Sequence, residues 1–193
     1  MEPLLITLLV LGVPALLVIW SYNRFVTQVA AIDATWATID TELQRRHDLV
    51  PNLVRSVQGY AGHERQVLQL VTEARARAIA SSPADVPIEV QARAEDALTA
   101  GLSSLLAITE NYPDLKADTL FLDLQRRLVE TEDRISAARR LYNLEVAAYE
   151  RRRRAVPSNV IADAFSFEAR ELFEIQDAAA AHASQVSFPP ARG

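Results

Sequence analysis

The 193-residue chain contains no cysteine. That single absence excludes disulfides, thiolate metal ligands, a thiol nucleophile and a cysteine acylation site together. Glycine is scarce: five residues, with few β-branched alternations, argue against a sheet protein. The phosphate-cradling glycine loop and the Gly-x-Ser-x-Gly nucleophile turn are both missing. Histidine occurs three times, as His47, His63 and His182, too far apart for a helical ligand pair. His63-Glu64 starts like a zinc-protease motif, but the position four residues after His63 is Val67. Ser103-Ser104 has no histidine nearby in sequence. These absences predict no catalytic residue, no metal and no cofactor, hence a protein that is not an enzyme. Basic charge is not in excess either, and a formal net charge of −5 has the wrong sign for a general nucleic-acid binder. Lysine is nearly missing, with Lys116 the one exception among arginines.

Half the residues are hydrophobic, and Ala, Leu, Glu, Gln and Arg dominate, a helix-favouring composition. From Pro3 to Asn23 no residue is charged. About 20 apolar residues span roughly 30 Å as helix, the thickness of a bilayer's hydrocarbon core. Trp20 and Tyr22 close the run with rings that prefer the membrane interface. Pro14 is tolerated in a membrane span, where a soluble helix would break. A cleaved signal peptide would want a basic start, and this chain has Glu2 and no small-x-small cleavage site. Residues 1–22 therefore read as a transmembrane anchor, with membrane contact through Leu4–Trp20. Arg24, Arg45 and Arg46 follow the span and no basic residue precedes it, so the positive-inside rule puts the body in the cytoplasm.

After the anchor, apolar residues recur in steps of three and four: Tyr22, Phe25, Val29, Ile32, Trp36, Ile39 and Leu43. That is one stripe of a bundle helix. Pro51 interrupts, and the stripe resumes with Leu53, Val57, Tyr60, Val67 and Val71. Ser81–Pro87 is a loop; Leu98, Leu102, Leu105 and Ile108 then share a face. Asn111–Asp114 makes a turn before a long helix carrying Phe121, Leu124, Leu128, Ile135, Ala138, Tyr142 and Tyr149. Segments 23–49, 51–80, 87–111 and 115–155 would span roughly 40, 45, 37 and 60 Å. The expected fold is all-α: an N-terminal transmembrane helix followed by an antiparallel up-and-down four-helix bundle over 23–155. A three-helix coil, with Pro51 kinking one long first helix, is the alternative. Residues 156–177 form an aromatic-rich segment expected to cap the bundle, and 178–193 a disordered tail.

The order of motifs is also familiar. Asp40-x-x-Leu43-x-Arg45-Arg46-His47-Asp48-Leu49-Val50-Pro51-Asn52-Leu53-Val54, then Gly59-Tyr60-Ala61-x-His63-Glu64, resembles the signature of the LemA family. So do Tyr112-Pro113-Asp114-Leu115-Lys116-Ala117, Thr131-Glu132-x-Arg134-Ile135 with Tyr142-Asn143, and Pro157-Ser158-Asn159-x-Ile161-Ala162. The resemblance runs from about Tyr22 to Phe173 and implies a single-span membrane protein with a helical bundle and no agreed enzymatic activity. Two positions depart from the family pattern: Glu150 stands where asparagine is usual after Tyr149, and Val156 where an aromatic usually precedes Pro157.

Within those blocks Arg45, Arg46, Asp48, Asn52, Glu64, Arg75, Glu132, Arg134 and Asn143 form a candidate polar network. Arg46 and Glu64 occupy stripe positions that should be apolar, and Glu132 flanks one. Such residues either make a binding groove or an interhelical ion-pair layer that fixes register. The run Arg151, Arg152, Arg153 and Arg154 is a candidate lipid-contacting cluster, or a solvated helix end complementing the helix dipole. The expected role is a scaffold or adaptor at the bacterial inner membrane, partnered by another membrane protein or by itself and not by nucleic acid. The alternative is an oligomer that holds or shapes anionic lipid.

Overall fold

The computed structural model describes residues 2–83 and 85–174, with side chains from Leu11 onward. All regular structure among the described residues is helical: α1 (Glu2–Tyr60), α2 (Arg65–Ala80), α3 (Ile88–Thr109), α4 (Pro113–Lys116), α5 (Thr119–Arg154) and α6 (Ser158–Ala164). The expected tail, 178–193, lies outside the described residues. The described residues divide into two compact units, 2–41 with 135–172, and 42–134 with 173–174.

In the first unit, α1 begins with an apolar stretch long enough to cross a membrane. Leu11, Leu16 and Trp20 are each more than half exposed, so these side chains are left uncovered by the rest of the unit. Beyond that stretch the predicted stripe turns inward. Phe25, Ile32 and Ile39 are buried, as are Ile135, Tyr142, Val146 and Tyr149 of α5. The aromatic segment after α6 closes this unit. Ser166 adopts a left-handed φ of 56°, which reverses the chain. Phe167 then stacks on Phe25 at 4.7 Å between ring centroids, and Phe165 meets Tyr22 edge-on at 5.0 Å. The Tyr149 hydroxyl donates to the Glu168 carbonyl at 2.6 Å, and that of Tyr142 to the Glu171 carbonyl at 3.0 Å. Glu150, one of the two departures from the family pattern, accepts the Arg170 backbone N–H at 3.0 Å. It therefore helps to hold the returning segment. Val156, the other departure, is 83% exposed.

The second unit has the main apolar core, built from Leu53 and Val57 of α1, Val71 and Ala74 of α2, Leu98 and Leu105 of α3, Leu115 of α4, and Phe121 and Leu128 of α5. A Cβ on Gly101 would sit 3.0 Å from Leu70 Cδ2 and 3.4 Å from Val71 Cγ2, so α2 and α3 pack closely at that point.

Two expected boundaries are wrong. The first body helix does not end near residue 49 or restart at Pro51; α1 runs through both to Tyr60, and the chain turns at 61–64. Proline has no N–H, so the carbonyl four residues earlier, that of His47, loses its helical donor. Arg75 of α2 supplies the replacement, with Nε donating to the His47 carbonyl at 2.6 Å. A charged side chain thus repairs the gap and the helix continues. The last long helix also starts later than expected, at Thr119, because Asp118 caps it. Its carboxylate accepts the N–H groups of Leu120 at 2.8 Å and Phe121 at 3.0 Å.

Candidate functional site

The most concentrated polar chemistry is a buried ion cluster in the second unit. Arg46 of α1 is 1% exposed. Its guanidinium bonds to Glu95 of α3 through Nη2, and through Nη1 to Thr99 of α3 at 3.1 Å and Glu132 of α5 at 2.8 Å. His47, next along α1, uses Nε2 to bond the other Glu95 oxygen at 2.9 Å. Glu95 is fully buried, whereas the Glu132 side chain retains 37% exposure.

Electrostatics follow from this enclosure. Burial works to protonate Glu95, but the hydrogen bond from His47 and the charge of Arg46 outweigh it and hold the carboxyl below the usual range. Burial likewise opposes the charge on Arg46, and Glu132 and Glu95 together overcome it. Ion pairs thereby tie three helices, α1, α3 and α5, to one another. Among the described residues, the Arg46 Nε and His47 Nδ1 atoms have no hydrogen-bond partner.

The nine residues read from the sequence do not form one network. Arg46 and Glu132 belong to the cluster, and Arg75 joins its edge through the His47 carbonyl. Arg45 and Arg134 instead converge on Glu42, at 2.7 Å and 3.9 Å. Asp48 is exposed and takes a bond from Gln44 at 3.1 Å, while Asn52 is exposed and accepts from Arg55 at 2.5 Å. Both face away because a helix places adjacent residues about 100° apart, and Arg46, His47 and Val50 occupy the inner side. Glu64 lies in the 61–64 turn, 3.4 Å from the Tyr112 hydroxyl. Asn143 belongs to the first unit. Sequence reading missed Glu95, His47 and Thr99. The α3 stripe of Leu98, Leu102 and Leu105, extended one step back, lands on Glu95, and His47 bridges Leu43 to Val50 in steps of four and three. A charge on an apolar stripe was the available signal.

The arginine run ends α5 in the first unit. Arg153 and Arg154 pair with Glu150 at 3.1 Å and 3.5 Å. Arg152 lies over the Phe25 ring, 5.9 Å from its centroid, and Arg24 over Trp20 at 5.4 Å. Burial and the neighbouring Arg24 both push the Arg152 pKa down. Two cations therefore share the point where α1 leaves its apolar stretch. Among the described residues, no group of three or more His, Cys, Asp and Glu side chains could hold a metal ion.

Fold and site together define an all-α protein whose first helix is apolar enough to cross a membrane and whose helical body is tied by a buried ion cluster. A family model described as LemA family matches residues 35–188, most of the chain, and the chain belongs to that family. It is similar to magnetosome protein MamQ 2 of Paramagnetospirillum magneticum, at 24% identity over 79% of this chain and 64% of the relative. Similarity to magnetosome protein MamQ of Magnetospirillum gryphiswaldense is 25% over 66% of this chain and 55% of the relative. The chain thus spans less than two thirds of the length of these relatives.

Proposed function

We propose that this protein is a membrane-anchored helical scaffold or adaptor, not an enzyme, that acts through helix-face contacts at the inner membrane with its body in the cytoplasm. The observation that carries this reading is the mutual pairing of charges in the ion cluster. Arg46, His47 and Glu95 answer one another inside the core, with the partly exposed Glu132 at its edge, which is how buried charge fixes helix register. Chemistry of that kind shapes a rigid body and leaves recognition to the outer faces. Confinement by the first helix raises the effective concentration of any partner in the same bilayer. The test is crosslinking in native membranes, then purification of the C-terminally tagged chain and mass spectrometry. A specific membrane protein, or a second copy, recovered in near-equal amount supports the scaffold; recovery of the monomer alone refutes it.

A second reading rests on the Arg24 and Arg152 pair. Two guanidinium groups beside the exit of an apolar helix suit the phosphate of an anionic headgroup, each basic residue contributing roughly 1 kcal/mol near an anionic leaflet. In this reading the protein holds or organises anionic lipid. Retention of phosphatidylglycerol on the full chain, counted by native mass spectrometry, should fall in Arg24→Gln/Arg152→Gln; equal retention rejects lipid binding at this pair.

A further inference from the structure

We propose that the outer face of α5 pairs with the same face of a second copy, in parallel, through a short coiled coil centred on Leu141 and Leu144. The inference rests on the membrane-anchored reading above and names its partner. The inner face of α5 in the first unit is formed by Ile135, Ala138, Tyr142, Val146 and Tyr149, all buried. On an outward flank of the helix, Ala137, Leu141, Leu144 and the half-buried Ala148 follow one another in steps of four, three and four. Leu141 is 50% exposed and Leu144 is 67% exposed, on a helix that carries polar side chains on either flank. Alternation of three and four is the repeat of a two-stranded coil, with Leu141 and Ala148 at a positions and Ala137 and Leu144 at d positions.

Charge selects the partner and its direction. With that register Arg140 takes a g position and Glu145 the following e position, five residues on. In a parallel pair of identical chains, the g residue of one copy lies beside the next e residue of the other, so Arg140 meets Glu145 twice. In an antiparallel pair, g faces g and e faces e, which would set arginine against arginine and glutamate against glutamate. Among the described residues neither Arg140 nor Glu145 has an ion-pair partner within its own chain, unlike Arg126, Arg127, Arg153 and Arg154 on the same helix. Two copies anchored in one bilayer by their first helices also enter their bodies from the same side, which makes parallel the available direction.

The contact is short, two leucines and two alanines from each copy, bounded by Arg134 and Arg151 at the next repeat positions. It is smaller than the roughly 1,200 Å² that holds a stable complex in dilute solution. Pairing therefore depends on confinement in the membrane.

The absence of native cysteine makes the test direct. In membranes containing the full chain, Leu144→Cys should form a disulfide-linked dimer under mild oxidation, since d residues of a parallel coil face their own copies within disulfide reach. Thr38→Cys, exposed on α1 of the same unit, should not. Arg140→Glu in the Leu144→Cys background should lower the dimer yield several-fold, and adding Glu145→Arg should restore it. The pairing is overturned if Leu144→Cys links no better than Thr38→Cys, or if the charge reversal changes nothing. It is also overturned if linkage needs Leu141→Cys and Leu144→Cys on different copies, the antiparallel outcome. The membrane-bound fraction is measured for every variant. Loss of that fraction in the parent chain refutes the anchored reading, whereas an intact fraction without the dimer refutes the pairing alone.

Discussion

The repair of α1 at Pro51 can be tested as a coupling between two residues 24 positions apart in sequence. Arg75 donates to a carbonyl that would be satisfied by the backbone in any other helix, so its contribution should exist only while residue 51 is proline. Arg75→Met keeps most of the apolar stem and removes the donor. Loss of a hydrogen bond to a charged group, with a partly buried carbonyl left unpaired, should cost roughly 2 kcal/mol. In the Pro51→Ala background the backbone N–H restored at that position reaches the His47 carbonyl, and Arg75→Met should then cost about 0.5 kcal/mol. The expected coupling is thus about 1.5 kcal/mol, above the usual error of additivity. Pro51→Ala alone should stabilise by less than the roughly 3 kcal/mol that separates alanine from proline in an ordinary helix interior, because Arg75 already offsets part of that difference. Urea unfolding of the four proteins in mild detergent, followed by far-ultraviolet circular dichroism, measures the cycle. Equal costs for Arg75→Met in both backgrounds would falsify the repair mechanism and leave Arg75 as an ordinary surface contact.

Three further outcomes follow from the same geometry. Glu95→Ala strands Arg46 and His47 in the core and should cost about 3 kcal/mol, whereas Glu132→Ala, whose carboxylate is partly solvated, should cost about 1 kcal/mol; denaturant midpoints decide, and the reverse order would sink the cluster as described. Because the folded Glu95 carboxyl titrates below its ordinary value of 4.5, its stabilisation is complete above that pH and is lost as pH falls through the lower folded value. Glu95→Gln should therefore flatten, though not abolish, the acid limb of stability against pH, since Asp118 and Asp123 are depressed in the same direction. Finally, Tyr149→Phe removes the bond to the Glu168 carbonyl and should cost about 1 kcal/mol while speeding amide exchange across residues 165–172; unchanged exchange would show that the aromatic stacking alone holds this segment.

Periodicity carried most of the fold. The stripe from Phe25 through Ile39 and the stripe from Phe121 to Tyr149 are the buried faces of α1 and α5, because a face of one helix is a local property of spacing. Tyr60 fell outside its stripe, at 45% exposure, since it ends α1 and its hydroxyl turns to Asp118 at 3.0 Å. The helix end near Pro51 was illegible for a different reason. A proline's local cost is visible in sequence, but the donor that cancels it comes from Arg75 on another helix. Of the polar residues, Arg46 and Glu132 were legible as charges on or beside apolar stripes. Glu95 carries the same mark one turn before Leu98, and a stripe that starts at Leu98 and runs forward to Ile108 does not reach it.

Glu95 also explains why the core keeps charges that apolar residues could replace. The stripes of α1, α2 and α3 are mainly leucine, valine and alanine, so sliding α3 by one turn would set one small aliphatic group where another had been. Apolar burial distinguishes such registers weakly, since its energy depends on area and hardly on identity. The ion cluster distinguishes them strongly. A slip of α3 by one turn would bring Gln91 or Leu98 beside Arg46 and carry Glu95 away from both Arg46 and His47. Each group would then be buried without a partner, a penalty of several kcal/mol that the correct register avoids. The pair adds little to stability against an apolar substitute of the same volume, and its effect lies in the competing arrangements it removes. On this argument, replacing Arg46, His47 and Glu95 together by methionine, which leaves only the partly solvated Glu132 of the cluster, should keep stability close to the parent's while broadening the amide resonances of α3, the signature of a helix that samples more than one register.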